Sequence, residues 1–408
     1  MRICFIFVLT ASLAGPLLAA DSADFRGPTR DGIFTETGLM KSWPEEGPKQ
    51  NWAIDGLGKG FSSVSVVGDS IYTTGKIDDS GYVFAIDMKG TLKWKTVYGA
   101  EDNGGNYPGA RSTPTYSDGK LYLISGVGVA VCLDASTGKI LWSVDTLERF
   151  GGGADNSKFM PRWSIAESVL VTDNMVICTP GATDASVVAL NKNNGETIWQ
   201  SKGISEVSGY CSARIFDNGT VRQLVTMTGH SLLALDLKTG NKIWHQPYAG
   251  DYDIHANSPL FFGNMIYVTD GYKRGGAMFQ LAEDGKSVSQ VWTEKSLSVN
   301  HGGAVLVNGK IYGANKSLLI GLDAKTGKVV GKGRATGKGS IIYCDGLLYT
   351  YGERGYVGLI DPNSSDFTPI SQFRITQGSG QHWAHPVISG GNLYIRHGDV
   401  LMSFGIKE

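Results

Sequence analysis

The sequence predicts an all-β chain wound into an eight-bladed β-propeller of four-stranded antiparallel blades. Three observations predict it: a recurring Leu-Asp/Thr-Gly/Trp unit, a turn followed by an aliphatic-Tyr strand ahead of each copy, and an unmatched strand before the first copy. Composition agrees. Glycine supplies 56 of 408 residues and charged residues only 18%, which suits many turns and short strands rather than long amphipathic helices. The formal net charge is -1 with Lys and Arg scattered along the chain, which argues against a nucleic-acid footprint or a polybasic membrane patch.

Residues 1–20, MRICFIFVLTASLAGPLLAA, carry a basic Arg2, an apolar run, a Gly15-Pro16 break and small residues at Ala19 and Ala20. They read as a secretory signal peptide, with an uncleaved anchor as the alternative. The expectation is a periplasmic or secreted protein with no transmembrane segment after cleavage. Asp21 stands where a lipoprotein would need cysteine. Residues 21–408 are expected to form one propeller domain and a monomer, with repeats from about residue 49.

The repeat is clearest in Cys132-Leu-Asp-Ala-Ser-Thr-Gly-Lys-Ile-Leu-Trp142 and Ala234-Leu-Asp-Leu-Lys-Thr-Gly-Asn-Lys-Ile-Trp244. Residues 189–199 follow the same template, residues 85–94 are one shorter, and residues 321–330 have lost the tryptophan. Degenerate copies run from Gln280 to Trp292 and from Leu359 to Phe373. Ahead of the copies stand turn pairs such as Asp118-Gly119 before Leu121-Tyr122 and Asn308-Gly309 before Ile311-Tyr312. Such pairs tolerate positive φ and mark hairpins. Each unit thus reads as an inner strand, the Tyr strand, the strand ending in Leu-Asp, and an outer strand bearing Trp. The eighth unit stops after three strands, and Gln50-Asn-Trp-Ala-Ile54 is an orphan outer strand, so pairing the two closes the ring and removes its edges. Eight blades are expected, with seven as the alternative.

Cys132, Cys178, Cys211 and Cys344 are widely spaced with no CxxC, and read as buried small hydrophobes.

The A-x-D-x-x-T-G-x-x-x-W pattern, best matched at Ala234 to Trp244, resembles the tryptophan-docking repeat of the quinoprotein alcohol dehydrogenase-like propellers. That family includes the pyrroloquinoline quinone (PQQ) dehydrogenases and the non-enzymatic outer-membrane assembly scaffold BamB. The resemblance implies the fold and a structural role for Trp94, Trp142, Trp199, Trp244 and Trp292. It does not choose between catalysis and scaffolding.

All seven histidines fall on loops or strand ends of one propeller face in this reading. Aligning the units gives an inner-strand column of Ser62, Arg111, Ala166, Cys211, Ala256, His301, Lys338 and Trp383. The next column is Ser63, Ser112, Glu167, Ser212, Asn257, Gly302, Gly339 and Ala384. Glu167 is the second column's only charge and needs a partner if buried, for which Arg111, His301 or Lys338 are candidates. Arg162-Trp163 suits stacking on a planar ligand or clamping an anion. Alternation in Asp251-Tyr-Asp-Ile-His255 would put Asp251, Asp253 and His255 on one face as a weak metal candidate, against a solvated loop. In Ser379-Gly-Gln-His-Trp-Ala-His385, Trp383 and His385 share a face while His382 points elsewhere. The expected ligand-binding set is therefore Arg111, Arg162, Trp163, Glu167, His255, Asn257, His301, Lys338, Trp383 and His385.

Two functions follow. One is an exported binding or scaffold module taking a small molecule, carbohydrate or protein at the channel mouth. The alternative, implied by the resemblance, is a PQQ- and Ca2+-dependent dehydrogenase of alcohols or sugars, with Glu167 and Asp253 as first suspects for the base. Adjacent cysteines and a haem-attachment CxxCH are both missing from the sequence, and the chain is much shorter than those enzymes.

Overall fold

A computed structural model describes residues 22–101, 105, 107–151 and 163–408. The expected signal peptide and Arg162 lie outside the described residues. Eight four-stranded antiparallel sheets follow one another along the chain. The first seven blades span residues 65–100, 115–145, 170–200, 214–247, 260–294, 304–333 and 339–374. The eighth consists of Val387–Ser389, Asn392–His397 and Val400–Gly405, and Gln50–Ile54 completes it by pairing with Val400–Gly405. The predicted closure is the observed one.

The repeat residues explain how the blades stack. In Asp134, Asp236 and Asp323 the carboxylate accepts from the backbone N–H groups two and three residues on and from the Thr hydroxyl, pinning the Asp-x-x-Thr-Gly turn. These bonds pull the Asp134 carboxyl down to about 2. The turn's glycine then receives the tryptophan of the preceding blade. A Cβ on Gly240 would stand 2.4 Å from the Trp199 ring, and one on Gly138 would stand 2.5 Å from Trp94. Both glycines also sit at positive φ, so no other residue fits. Trp52, Trp142, Trp199 and Trp292 each donate Nε1–H to a carbonyl of the next blade, at 2.9 to 3.2 Å. Trp244 differs from these four: its buried Nε1 has no partner among the described residues. The fifth blade that it faces carries the degenerate Ala282-Glu-Asp-Gly turn instead of Thr-Gly.

The four described cysteines are all buried, unpaired thiols. No helix among the described residues is long and apolar enough to cross a membrane.

A segment outside the repeat occupies the axis. Residues 22–34 run across the hub and touch most of the ring. Ser22 bridges Val66 of the first blade, and the Ala23 carbonyl accepts from Tyr116 of the second. Arg30 donates to the Ser168 and Val169 carbonyls at the third, and Asp31 pairs with Arg214 of the fourth at 3.1 Å. Arg26 reaches the carbonyls of Gly302, Ala304 and Ile341 and the Nδ1 of His385. Burial lowers the Arg26 guanidinium to about 10, opposed by Asp31, so it stays charged at neutral pH. Gly303 makes room for it, since a Cβ there would lie 1.8 Å from the guanidinium.

Candidate functional site

The aligned columns mark the hub, but most of their residues lie in the segments leading into the inner strands rather than in the strands, which begin up to four residues later. Here the chains converge too closely for a ladder, and short hydroxyl side chains tie the blades instead. Ser63 N–H donates to Thr113 Oγ1, Thr113 N–H to Ser168 Oγ, and Ser168 N–H to Ser212 Oγ. Asn257 continues this belt. It is buried, donates to the carbonyls of Thr269, Val299 and Asn300, and accepts from Gly303 N–H. Asn257, expected to bind ligand, thus ties the fifth and sixth blades and does not line the cavity above them.

Above the belt opens a cavity of about 300 Å³ at the channel mouth. The first aligned column supplies Arg111, Ala166, Ala256, His301, Lys338 and Trp383, and Trp163 and His385 join them. The fold brings together six of the ten expected binding residues. Trp383 is the centre of an aromatic cluster, with ring centroids 5.0 Å from Phe61, 4.8 Å from Tyr107 and 4.9 Å from His301. Glu353 fixes it: one carboxylate oxygen accepts from Trp383 Nε1 and from Lys338 Nζ, each at 2.8 Å, and lies 3.5 Å from His301 Nε2. Arg111 donates to the Tyr107 and Gly109 carbonyls and lies 5.6 Å from the Phe61 ring. His385 donates from Nε2 to the His301 carbonyl at 2.9 Å and accepts from Arg26 at Nδ1, which fixes a neutral tautomer. Burial and the Arg26 charge hold its pKa well below the usual range. Phe25 packs edge-on against His385 at 5.2 Å and floors the cavity.

His382 points away from the cavity, as the sequence implies. It bonds the Tyr351 hydroxyl and stacks on His397 at 3.6 Å, and His397 bonds the Gln377 and Gly380 carbonyls. The loop carrying Trp383 is anchored there.

Other expected groups stand apart. The Glu167 carboxylate does not reach Arg111, His301 or Lys338. It is buried and accepts from Thr179 N–H at 2.6 Å and Thr179 Oγ1 at 2.8 Å, because its side chain turns into its own blade. Desolvation raises it to about 7, against these bonds and the Arg30 charge. The alternation at 251–255 fails, since Asp251–Asp253 form a 3-10 turn with positive φ at Tyr252 and Asp253. Asp253 then meets His230 at the surface, 3.1 Å away. His255 is buried with its Nδ1 3.5 Å from Asp270. Burial lowers His255 to about 4 and raises Asp270 to about 7, so a neutral imidazole faces a carboxyl that ionises only near neutral pH. His245 sits within the outer strand Lys242–Pro247, bonded to Ser231 and Glu206.

Ca2+ needs six to eight converging oxygens, several of them carboxylate. No cluster of three or more His, Cys, Asp or Glu residues suited to a metal occurs among the described residues. Glu353, the carboxylate bonded to Trp383 at the mouth, is already committed to Lys338 and Trp383. The described residues therefore do not fit the Ca2+ that the resemblance implied. The aromatic and cationic lining does suit a planar carboxylate.

Phe25, Tyr210, Tyr272, Asn300 and Glu353 were not among the expected site residues, yet the first four line the cavity and Glu353 organises it. Within the blades Glu353 left a signal, as an acid on the second-to-third turn of the seventh blade.

A sequence profile of the family described as outer membrane protein assembly factor BamB matches residues 79–332. BamB of Moranella endobia is 25% identical over 293 residues, 66% of this chain and 66% of that protein. The quinoprotein ethanol dehydrogenase of Pseudomonas aeruginosa is 29% identical over 175 residues, 40% of this chain and 26% of that protein. The chain thus spans about a quarter of the matched dehydrogenase and just under two thirds of that BamB. Among solved structures, BamB from Moraxella catarrhalis superposes with a TM-score of 0.62 at 17% identity, covering 88% of this chain and all of that one. Quinohemoprotein alcohol dehydrogenase from Comamonas testosteroni gives 0.68 at 12% identity, covering 94% and 80%. The shared eight-bladed ring, the tryptophan-docking repeat and the match over residues 79–332 establish that the chain belongs to the BamB-like family of PQQ-repeat propellers.

Proposed function

We propose that this protein is an exported binding module of 21–408, a single propeller domain, whose channel mouth takes a small carboxylate-bearing molecule or sugar. The observation that carries this reading is the cluster around Trp383. An indole is held by Glu353 among Phe61, Tyr107 and His301, with Arg111 and Lys338 beside it. Aromatic faces stack on flat rings or on the C–H faces of sugars, and cations pair with carboxylates. Export is supported by the leader-like residues 1–20.

The protein is titrated with uronic acids and with PQQ, each with and without Ca2+, following tryptophan fluorescence and thermal unfolding. Saturable quenching that Trp383→Ala weakens at least tenfold is expected, with little change in the unliganded midpoint. Dye-linked alcohol or sugar oxidation that requires Ca2+ would overturn the binding reading in favour of the dehydrogenase. No binding by any probe would remove the mouth as a site for this ligand class.

A further inference from the structure

The cations scattered in the sequence do not stay scattered. Beside the mouth lies a groove of about 720 Å³ between the sixth and seventh blades. It exists because residues 334–338 form the shortest of the seven blade-to-blade connections, so the wall that longer loops raise elsewhere is low here. Lys316, Arg334, Lys338 and Arg354 line it with one acid, Glu353. Lys338 and Glu353 neutralise each other at 2.8 Å. Lys316, Arg334 and Arg354 are exposed and form no ion pair among the described residues. Three uncompensated cations thus share one groove on a chain whose net charge is -1. Lys338 lines both the groove and the mouth, so the two adjoin across this side chain.

The rest of the lining selects among polyanions. Ser317 and Gln372 offer a hydroxyl and an amide, and Tyr356 presents a partly exposed ring with the Arg374 guanidinium 5.6 Å from it. Apolar lining is confined to Leu318 and Ala335, which leaves few pockets for peptide side chains. We infer that this groove binds an acidic oligosaccharide, one with carboxylates along a sugar chain, whose terminal residue enters the channel mouth. Sugar hydroxyls meet the polar lining, a sugar face covers Tyr356, and carboxylates meet Lys316, Arg334 and Arg354. The inference deepens the proposed function and rests on it for the terminal residue only.

The test compares oligogalacturonate with monomeric galacturonate, a neutral oligosaccharide of equal length and polyglutamate, by calorimetry on the intact protein. Oligogalacturonate is expected to bind at least tenfold tighter than the monomer, with affinity falling as salt rises. The double variant Arg334→Glu/Arg354→Glu should remove that gain, leave monomer binding intact and leave the thermal midpoint unchanged. Arg334→Lys/Arg354→Lys should keep most of it. Equal affinity for monomer and oligomer would overturn the groove while sparing the mouth. Oligomer binding that survives Trp383→Ala but not the charge reversal would sustain the groove and remove the mouth. Tighter binding of polyglutamate, or equal binding of the neutral chain, would overturn the carbohydrate assignment.

Discussion

The periphery and the hub of this ring are built by different rules. At the periphery one contact recurs: a tryptophan lies on the glycine of the next blade's turn and donates to a nearby carbonyl. At the hub the blades contribute unlike side chains. The aligned position holds Arg111, Ala166, Ala256, His301, Lys338 and Trp383 in different blades, and a non-repeated arm crosses beneath them. The lesson is that repetition specifies the ring, whereas departure from repetition specifies what the ring can hold.

Breaking the hub should cost most. Arg26→Met leaves the carbonyls of Gly302, Ala304 and Ile341 and the Nδ1 of His385 without their shared donor. A loss of about 3–5 kcal/mol is expected in denaturant unfolding. A loss below about 1 kcal/mol would show that the arm only fills space.

A smaller effect distinguishes the hub's buried acid from a catalytic one. Burial raises Glu167 from its ordinary 4.5 to about 7. The folded state therefore holds that proton to higher pH than the unfolded chain. The stability so gained is full below about 4.5 and is lost as pH rises through about 7. Glu167→Gln should flatten this decline, by about 1–3 kcal/mol between pH 5 and 8, and should leave ligand binding at the mouth unchanged. An unaltered pH profile would mean the carboxylate is ionised throughout.

The least change is expected at the periphery, where the repeat provides its own control. Trp199→Phe removes the bond to the Leu237 carbonyl, while Trp244→Phe removes none, since that Nε1 is unpartnered. Trp199→Phe should be worse by about 1 kcal/mol. Equal losses would show that ring packing alone holds adjacent blades.

Legibility in the sequence follows the same division. Strands, turns, docking tryptophans and the closing strand could be read because each recurs in register, so one copy explains another. The mouth was legible as far as alignment reached, which brought in Arg111, His301, Lys338 and Trp383. Glu167 and Asn257 occupy aligned positions too, but the side chain at that position points into the blade, where Thr179 and the fifth-to-sixth blade carbonyls take them up. Residues 251–255 read as extended by alternation alone, and positive φ at Tyr252 and Asp253 overrode it. Phe25 and Arg26 were invisible because nothing periodic points to them. The Asp24-Phe-Arg-Gly-Pro-Thr-Arg-Asp-Gly32 run, dense in arginine and glycine outside any repeat, was the one available hint.

The arm has a consequence for the order in which the molecule can be made. Arg26 bonds partners 276, 315 and 359 residues further along the chain, and the closing strand Gln50–Ile54 waits for Val400–Gly405. Individual blades are local in sequence and can form as they emerge, but the hub cannot set until the last blade exists. Folding should therefore end in a slow step dominated by distant contacts, and the mouth that Phe25 floors would be assembled last.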